Sequence, residues 1–132
     1  MVTRALDSQG KDPMANILIV DDSPIDQKEL SNILERNGHS VIHANNGESG
    51  VAIAKSEKPD LILMDVVMPG LNGFQATRQI SKGSDTSHIP IILISSKDQE
   101  TDRHWGLRQG ARSYMVKPVK DKELIKEIAE LL

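Results

Sequence analysis

Apolar runs recur along the chain, and each one stops at a polar residue. Ile17-Leu18-Ile19-Val20 runs into Asp21-Asp22, Leu61-Ile62-Leu63-Met64 into Asp65, Ile89-Pro90-Ile91-Ile92-Leu93-Ile94 into Ser95-Ser96, and Tyr114-Met115-Val116 into Lys117-Pro118. Runs of Ile, Leu and Val without alternation mark strands covered on both faces. Val41-Ile42 adds a shorter strand, and Pro90 fits only at the start of its own.

Helical spacing fills the intervals. Ser23 caps a helix with Pro24 at its first position and Asp26 at its third; Leu30, Ile33 and Leu34 supply the apolar face, and Asn37-Gly38 stops it. Asn45-Asn46-Gly47 opens a helix through Val51, Ala52, Ile53 and Ala54 that halts before Pro59, and residues 74–80 read as another. Residues 98–109 have helical spacing but only Trp105 and Leu107 as large apolar groups. Gly106 in their midst costs about 1 kcal/mol relative to alanine, so this is the helix predicted to be least stable, with Trp105 packing it or meeting a partner. Asp121 is placed as the cap of a last helix whose Leu124, Ile128, Leu131 and Leu132 share one face. Strict alternation of strand and helix predicts an α/β fold with a parallel sheet and right-handed crossovers.

At 132 residues the chain has room for one core and one domain. Residues 1–14, polar apart from a few side chains and without periodicity, read as a flexible leader or cloning remnant, leaving 15–132 as the folded unit. The net charge is −3, with no polybasic stretch, so nucleic acid is not an expected partner. The absence of cysteine excludes disulfides, thiolate metal sites and cysteine nucleophiles, and fits a cytoplasmic protein. No apolar stretch reaches the roughly 18 to 20 residues that cross a bilayer, so membrane insertion is not expected.

In open parallel sheets, ligands sit beyond the carboxyl ends of the strands. Asp21, Asp22, Asp65, Ser95 and Lys117 occupy those ends. Three close carboxylates repel one another unless a cation intervenes, and oxygen-only donors point to Mg²⁺. An aspartate is also a nucleophile toward phosphorus, forming an acyl phosphate. Phosphoryl transfer needs mainly placement and charge neutralisation, supplied by Mg²⁺ on one side and Lys117 on the other, with Ser95 donating a hydrogen bond. Each residue alone has a plainer reading: Asp65 as a turn former, Asp21-Asp22 as favourable to the next helix dipole, Lys117 as a surface lysine, Ser95 as a local backbone partner. Their joint order at the strand ends favours the chemistry.

Asp21-Asp22, Asp65 with Met68-Pro69-Gly70, Ser95 and Lys117-Pro118, in this order and spacing, resemble the receiver domains of two-component response regulators in their single-domain CheY-like form, over Ala15 to Leu132. The resemblance implies a flavodoxin-like (βα)5 doubly wound sheet of strand order 2-1-3-4-5. It further implies that Asp65 is the phosphoacceptor, that Asp21, Asp22, Asp65 and the backbone carbonyl of Val67 hold Mg²⁺, that Ser95 is the switch hydroxyl, and that Lys117 pairs with the phosphoryl group and precedes a cis proline. Tyr114 matches the aromatic switch that turns inward when Ser95 is drawn to the phosphoryl group; its plainer reading is a half-buried strand tyrosine. The implied partners are a CheA-like sensor histidine kinase as phosphodonor and an effector protein on the 98–109 helix and the 113–117 strand, or a phosphate-sink role without an effector. Pro69 to Gln79 and Lys97 to Arg103 are similar to the PilH-type receivers of type IV pilus twitching and phototaxis systems, which implies motility control. On this reading the chain is a signalling domain and no enzyme beyond its own phosphoryl transfer and dephosphorylation.

Two other functions use similar groups. A Mg²⁺-dependent phosphatase acting on small phosphoesters through an aspartyl phosphate typically carries a second acid two residues after its nucleophile, where this chain has Val67. A flavin-binding electron carrier needs Gly, Ser or Thr donors after Val20, where this chain has acids. His39, His43, His88 and His104 stand at no ligand spacing. The receiver resemblance further implies that Val67 and Lys97, two residues past Asp65 and Ser95, border the route of the water that hydrolyses an acyl phosphate: Val67 cannot orient it, and Lys97 can pair with the phosphoryl group. Dephosphorylation is therefore expected to respond at both positions; Val67→Asn and Lys97→Glu that both left its rate unchanged would overturn this.

Overall fold

Strands β1 (Asn16–Val20), β2 (Ser40–Ala44), β3 (Leu61–Asp65), β4 (Ile91–Ser95) and β5 (Ser113–Val116) pair into one parallel sheet of order β2-β1-β3-β4-β5 in the computed structural model, which describes residues 14–132. Helices α1 (Pro24–Arg36), α2 (Gly47–Glu57), α3 (Gly73–Lys82), α4 (Glu100–Arg108) and α5 (Asp121–Leu131) follow them in turn. This is the predicted flavodoxin-like (βα)5 arrangement. The expected leader lies, Met14 aside, outside the described residues.

The uninterrupted apolar strands are explained by the two cores they serve. Ile17, Ile19, Leu61, Leu63, Ile92 and Ile94 face α1 and α5, meeting Leu30, Leu34, Leu124 and Ile128. Their neighbours Leu18, Val20, Ile62, Met64, Ile91 and Leu93 face the other way, onto Val51, Ala54, Ala76 and Ile80 of α2 and α3. Alternate residues point to opposite faces of a strand, so a sheet buried on both sides leaves no polar positions until the strand ends.

The local signals hold at most helix ends. Ser23 accepts a hydrogen bond from Asp26 N at 3.2 Å with Pro24 in the first turn, Asn46 accepts from Ser49 N at 2.8 Å, and Gly38 takes a left-handed φ of 88° just past α1. Three expectations change. Ile89 and Pro90 precede β4, which begins at Ile91, although Pro90 still contributes its carbonyl to Ile62 N at 2.9 Å. Lys120, not Asp121, takes the extended cap position of α5; Asp121 is the first helical residue and pairs with Arg36. Trp105 is 53% exposed and packs no core; Gly106 is the buried residue of α4, because only a residue without a Cβ lets that helix approach Leu93 and Tyr114 so closely.

What positions the strand ends is the pairing of β1 with β3. Val20 is in register with Met64, so Asp21 and Asp65 emerge side by side, at the point where the connections diverge to the two flanks of the sheet. The turn after β3 is held closely: Gly73 N donates to Val66 O at 2.9 Å. A Cβ at Gly73 would lie 2.0 Å from Asp65 O and 2.7 Å from Val66 Cα, both backbone atoms. Alanine at a helix start normally stabilises relative to glycine, whereas Gly73→Ala is expected to destabilise by about 3 kcal/mol, the upper range for overpacking; a denaturant melt showing no loss would refute it.

Candidate functional site

Asp21, Asp22 and Asp65 each place a carboxylate oxygen within 4.8 Å of the other two. Asp22 is exposed, whereas Asp21 and Asp65 are almost fully buried. Asp21 Oδ1 accepts from Ser23 N at 2.8 Å, and its backbone N–H donates to Ala44 O at 3.1 Å. Buried Gln27 clamps the same loop, its Nε2 donating to Asp21 O at 2.8 Å and to Ala44 O at 2.7 Å while its carbonyl oxygen meets His43 Nδ1.

Lys117 reaches into this acidic group from the far side of the sheet. Its Nζ hydrogen-bonds to Asp26 Oδ2 at 2.8 Å and Asp21 Oδ2 at 3.1 Å, and stands 3.3 Å from Asp65 Oδ1. Burial alone would lower the pKa of the ammonium; the hydrogen bond to Asp26 and the charges of Asp65 and Asp21 outweigh it and hold the pKa above the ordinary lysine value. For Asp65 the balance runs the other way: burial, reinforced by the charge of Asp21, pushes its carboxyl up to about 6 against the pull of Lys117.

Ser95 is fully buried, its Oγ accepting from Lys97 N at 3.1 Å and lying within hydrogen-bonding reach of the Tyr114 hydroxyl. Tyr114 points inward, and its hydroxyl donates to Lys97 O at 2.8 Å; burial pushes its phenol pKa up. Arg103 of α4 donates to Tyr114 O at 3.2 Å. Val67 is exposed in the turn two residues beyond Asp65, and the Lys117-Pro118 bond is cis.

The sequence-predicted residues Asp21, Asp22, Asp65 and Lys117 thus meet at one end of the sheet, with Ser95 ending the neighbouring strand. Asp26 and Gln27 were absent from that set. Asp26 reads locally as an acidic helix start, and only the strand order shows that Lys117, 91 residues later, comes to it. Gln27 carries a local signal: a polar residue on the side of α1 that otherwise presents Leu30 and Leu34 to the core.

Residues 17–129 match the family described as the response regulator receiver domain. The chain belongs to the response regulator receiver family. This receiver domain is 59% identical to protein PilH of Pseudomonas aeruginosa over 119 residues, 90% of this chain and 98% of that one. The chemotaxis protein CheY4 of Vibrio cholerae is similar in structure, with TM-score 0.84 and 29% identity over 90% of this chain and 99% of that one. So is the receiver domain of a Pseudomonas aeruginosa sensor histidine kinase that has a magnesium ion coordinated in its active site cleft, with TM-score 0.83 and 31% identity over 89% of this chain and 97% of that one. Among the described residues no helix is long and apolar enough to cross a membrane.

The raised Asp65 pKa makes the receiver domain's stability depend on pH. A carboxyl whose pKa rises from 3.8 to about 6 on folding binds its proton more tightly when folded, so its contribution is complete below pH 4 and is lost as pH rises through 6. In chelator at pH 7.5, Asp65→Asn is expected to be more stable than the wild type by about 1–3 kcal/mol, a gain that disappears at pH 4. Thermal melts showing the same difference at both pH values would contradict it.

Proposed function

We propose that Asp65 accepts a phosphoryl group from a CheA-like sensor histidine kinase, with Mg²⁺ held by Asp21, Asp22, Asp65 and the backbone carbonyl of Val67. The observation that carries this reading is the Lys117 ammonium 3.3 Å from Asp65 Oδ1, beside two further carboxylates. Oxygen-only donors short of positive charge fit a hard divalent cation. Mg²⁺, when bound, neutralises carboxylate and phosphoryl oxygens together.

The transfer is a displacement at phosphorus. A carboxylate oxygen of Asp65 forms the new P–O bond as the P–N bond of a phosphohistidine breaks, its electron pair passing to the imidazole nitrogen. With a pKa of about 6, Asp65 is mostly ionised by pH 7. Lys117 offsets the charge of the transferred group, and the Ser95 O–H donates to one of its oxygens. Later attack by water returns the carboxylate and releases inorganic phosphate. No other substrate is required, which makes this the function of a signalling domain.

Output follows from the β4–α4 loop and the β5 edge. Lys97 joins Ser95 to Tyr114, and Arg103 joins Tyr114 to α4; Trp105 of α4 and Val116 of β5 are both exposed. We place the effector on this 98–109 and 113–117 face, residues 15–132 as the receiver unit, and its action in the cytoplasm. The extent of identity to PilH supports type IV pilus twitching or phototaxis as the process, by effector binding or as a phosphate sink.

Incubated with acetyl phosphate and Mg²⁺, the protein is expected to gain one phosphoryl group by intact mass, and Asp65→Asn or chelated protein none. A wild type that gained nothing, or a variant that gained as much, would overturn the assignment.

A further inference from the structure

Lys117 has three N–H donors and three carboxylates around it, and they are not equivalent. Its hydrogen bonds go to Asp26 at 2.8 Å and Asp21 at 3.1 Å, while Asp65 receives an ion contact at 3.3 Å. With Asp65 a free carboxylate, the lysine is therefore committed more closely to Asp26 than to the residue that would carry the phosphoryl group.

Asp26 lies outside the trio of Asp21, Asp22 and Asp65. Its side chain is 36% exposed, against 2% for Asp21. An ammonium leaving Asp21 would strand a buried charge, which is strongly unfavourable; one leaving Asp26 exposes a carboxylate that water can solvate. The backbone of Asp26 is held independently of the lysine, by its N–H to Ser23 Oγ at 3.2 Å and by its place in the first turn of α1, where the helix dipole favours a negative charge. Its carboxylate is an acceptor that Lys117 can release.

We propose that Asp26 is a positioning residue that competes with the phosphoryl group for the Lys117 ammonium. The proposal rests on the phosphoacceptor reading of Asp65. A phosphoryl group there brings new anionic acceptors, and Lys117 reaches them by giving up Asp26. The Asp26–Lys117 pair thus opposes occupancy of the site, and the Asp26 charge itself repels the incoming dianion.

The test is calorimetric titration of beryllofluoride, a non-transferable phosphoryl mimic, at saturating Mg²⁺. Asp26→Asn and Asp26→Ala are expected to bind it about two- to fivefold more tightly than the wild type, the range of a partly exposed ion pair, while Asp26→Glu keeps wild-type affinity. Mg²⁺ alone, titrated without beryllofluoride, is expected to bind both neutral variants no more tightly than the wild type. A merely loosened site would weaken both ligands together. Neutral variants that bind beryllofluoride as the wild type does or more weakly, or that tighten for Mg²⁺ by the same factor, would overturn the proposal. A wild type that neither binds beryllofluoride nor gains a phosphoryl group would instead remove the reading of Asp65 on which it rests.

Discussion

The Lys117 ammonium is the charge on which the end of the sheet depends. Asp21 and Asp65 are nearly buried, and a buried carboxylate without a partner either takes up a proton or finds a route to water. One lysine keeps both in place, but it also serves Asp26, with Asp22 nearby. Four carboxylates share one positive charge. Burial, reinforced by the charge of Asp21, holds the pKa of Asp65 near 6 although Lys117 is in contact with it. A site short of positive charge by this margin favours a divalent cation, and a site with that cation in place favours an anionic group next to Lys117.

This arrangement is held by parts of the fold that carry no charge. The register of β1 on β3 sets Asp21 beside Asp65, and burial on both faces leaves the strands no freedom to slip, since a shift of one residue would exchange the two cores. Gly73 lets the first turn of α3 close onto the backbone of Asp65, and Gln27 ties the β1 and β2 ends together. On the proposed phosphoacceptor reading this rigidity serves the chemistry, because in-line displacement at phosphorus depends on placement more than on any single reactive group.

Much of this was legible in the sequence, for a physical reason. Strands buried on both faces are continuous apolar runs, so their ends are the first places where polar residues stand, and in a parallel sheet those carboxyl ends gather at one edge. Asp21, Asp65, Ser95 and Lys117 could therefore be picked out by position alone. Asp26 could not, since a first-turn acid has the same local pattern whether or not a lysine from another strand reaches it. Asp121 carried a capping signal that the backbone did not use, because Lys120 took the extended conformation and Arg36 drew the carboxylate outward. Trp105 read as packing for a thin helix or as a partner contact; α4 meets the sheet through Gly106, which leaves the tryptophan at the surface and removes the first alternative.

The same thin packing determines how α4 can respond to the site. Gly106 is the one residue of α4 that is buried, so the helix is attached less by apolar area than by polar links: Arg103 to Tyr114 O, Tyr114 O–H to Lys97 O, and Lys97 N to Ser95 Oγ. Apolar packing is non-directional and hardly senses a charge several ångströms away, whereas a hydrogen bond depends on the orientation of both partners. A helix held mainly by apolar contacts would be indifferent to the ionic state of Asp65. Here the links run from Ser95, at the end of the strand beside that of Asp65, through Lys97 and Tyr114 to α4, and on the proposed reading of Asp65 a change of charge there would act on the bonds that locate the helix. Segments with few buried apolar contacts are also those that move at least cost, which makes α4 the element whose position such a change can alter without disturbing either core.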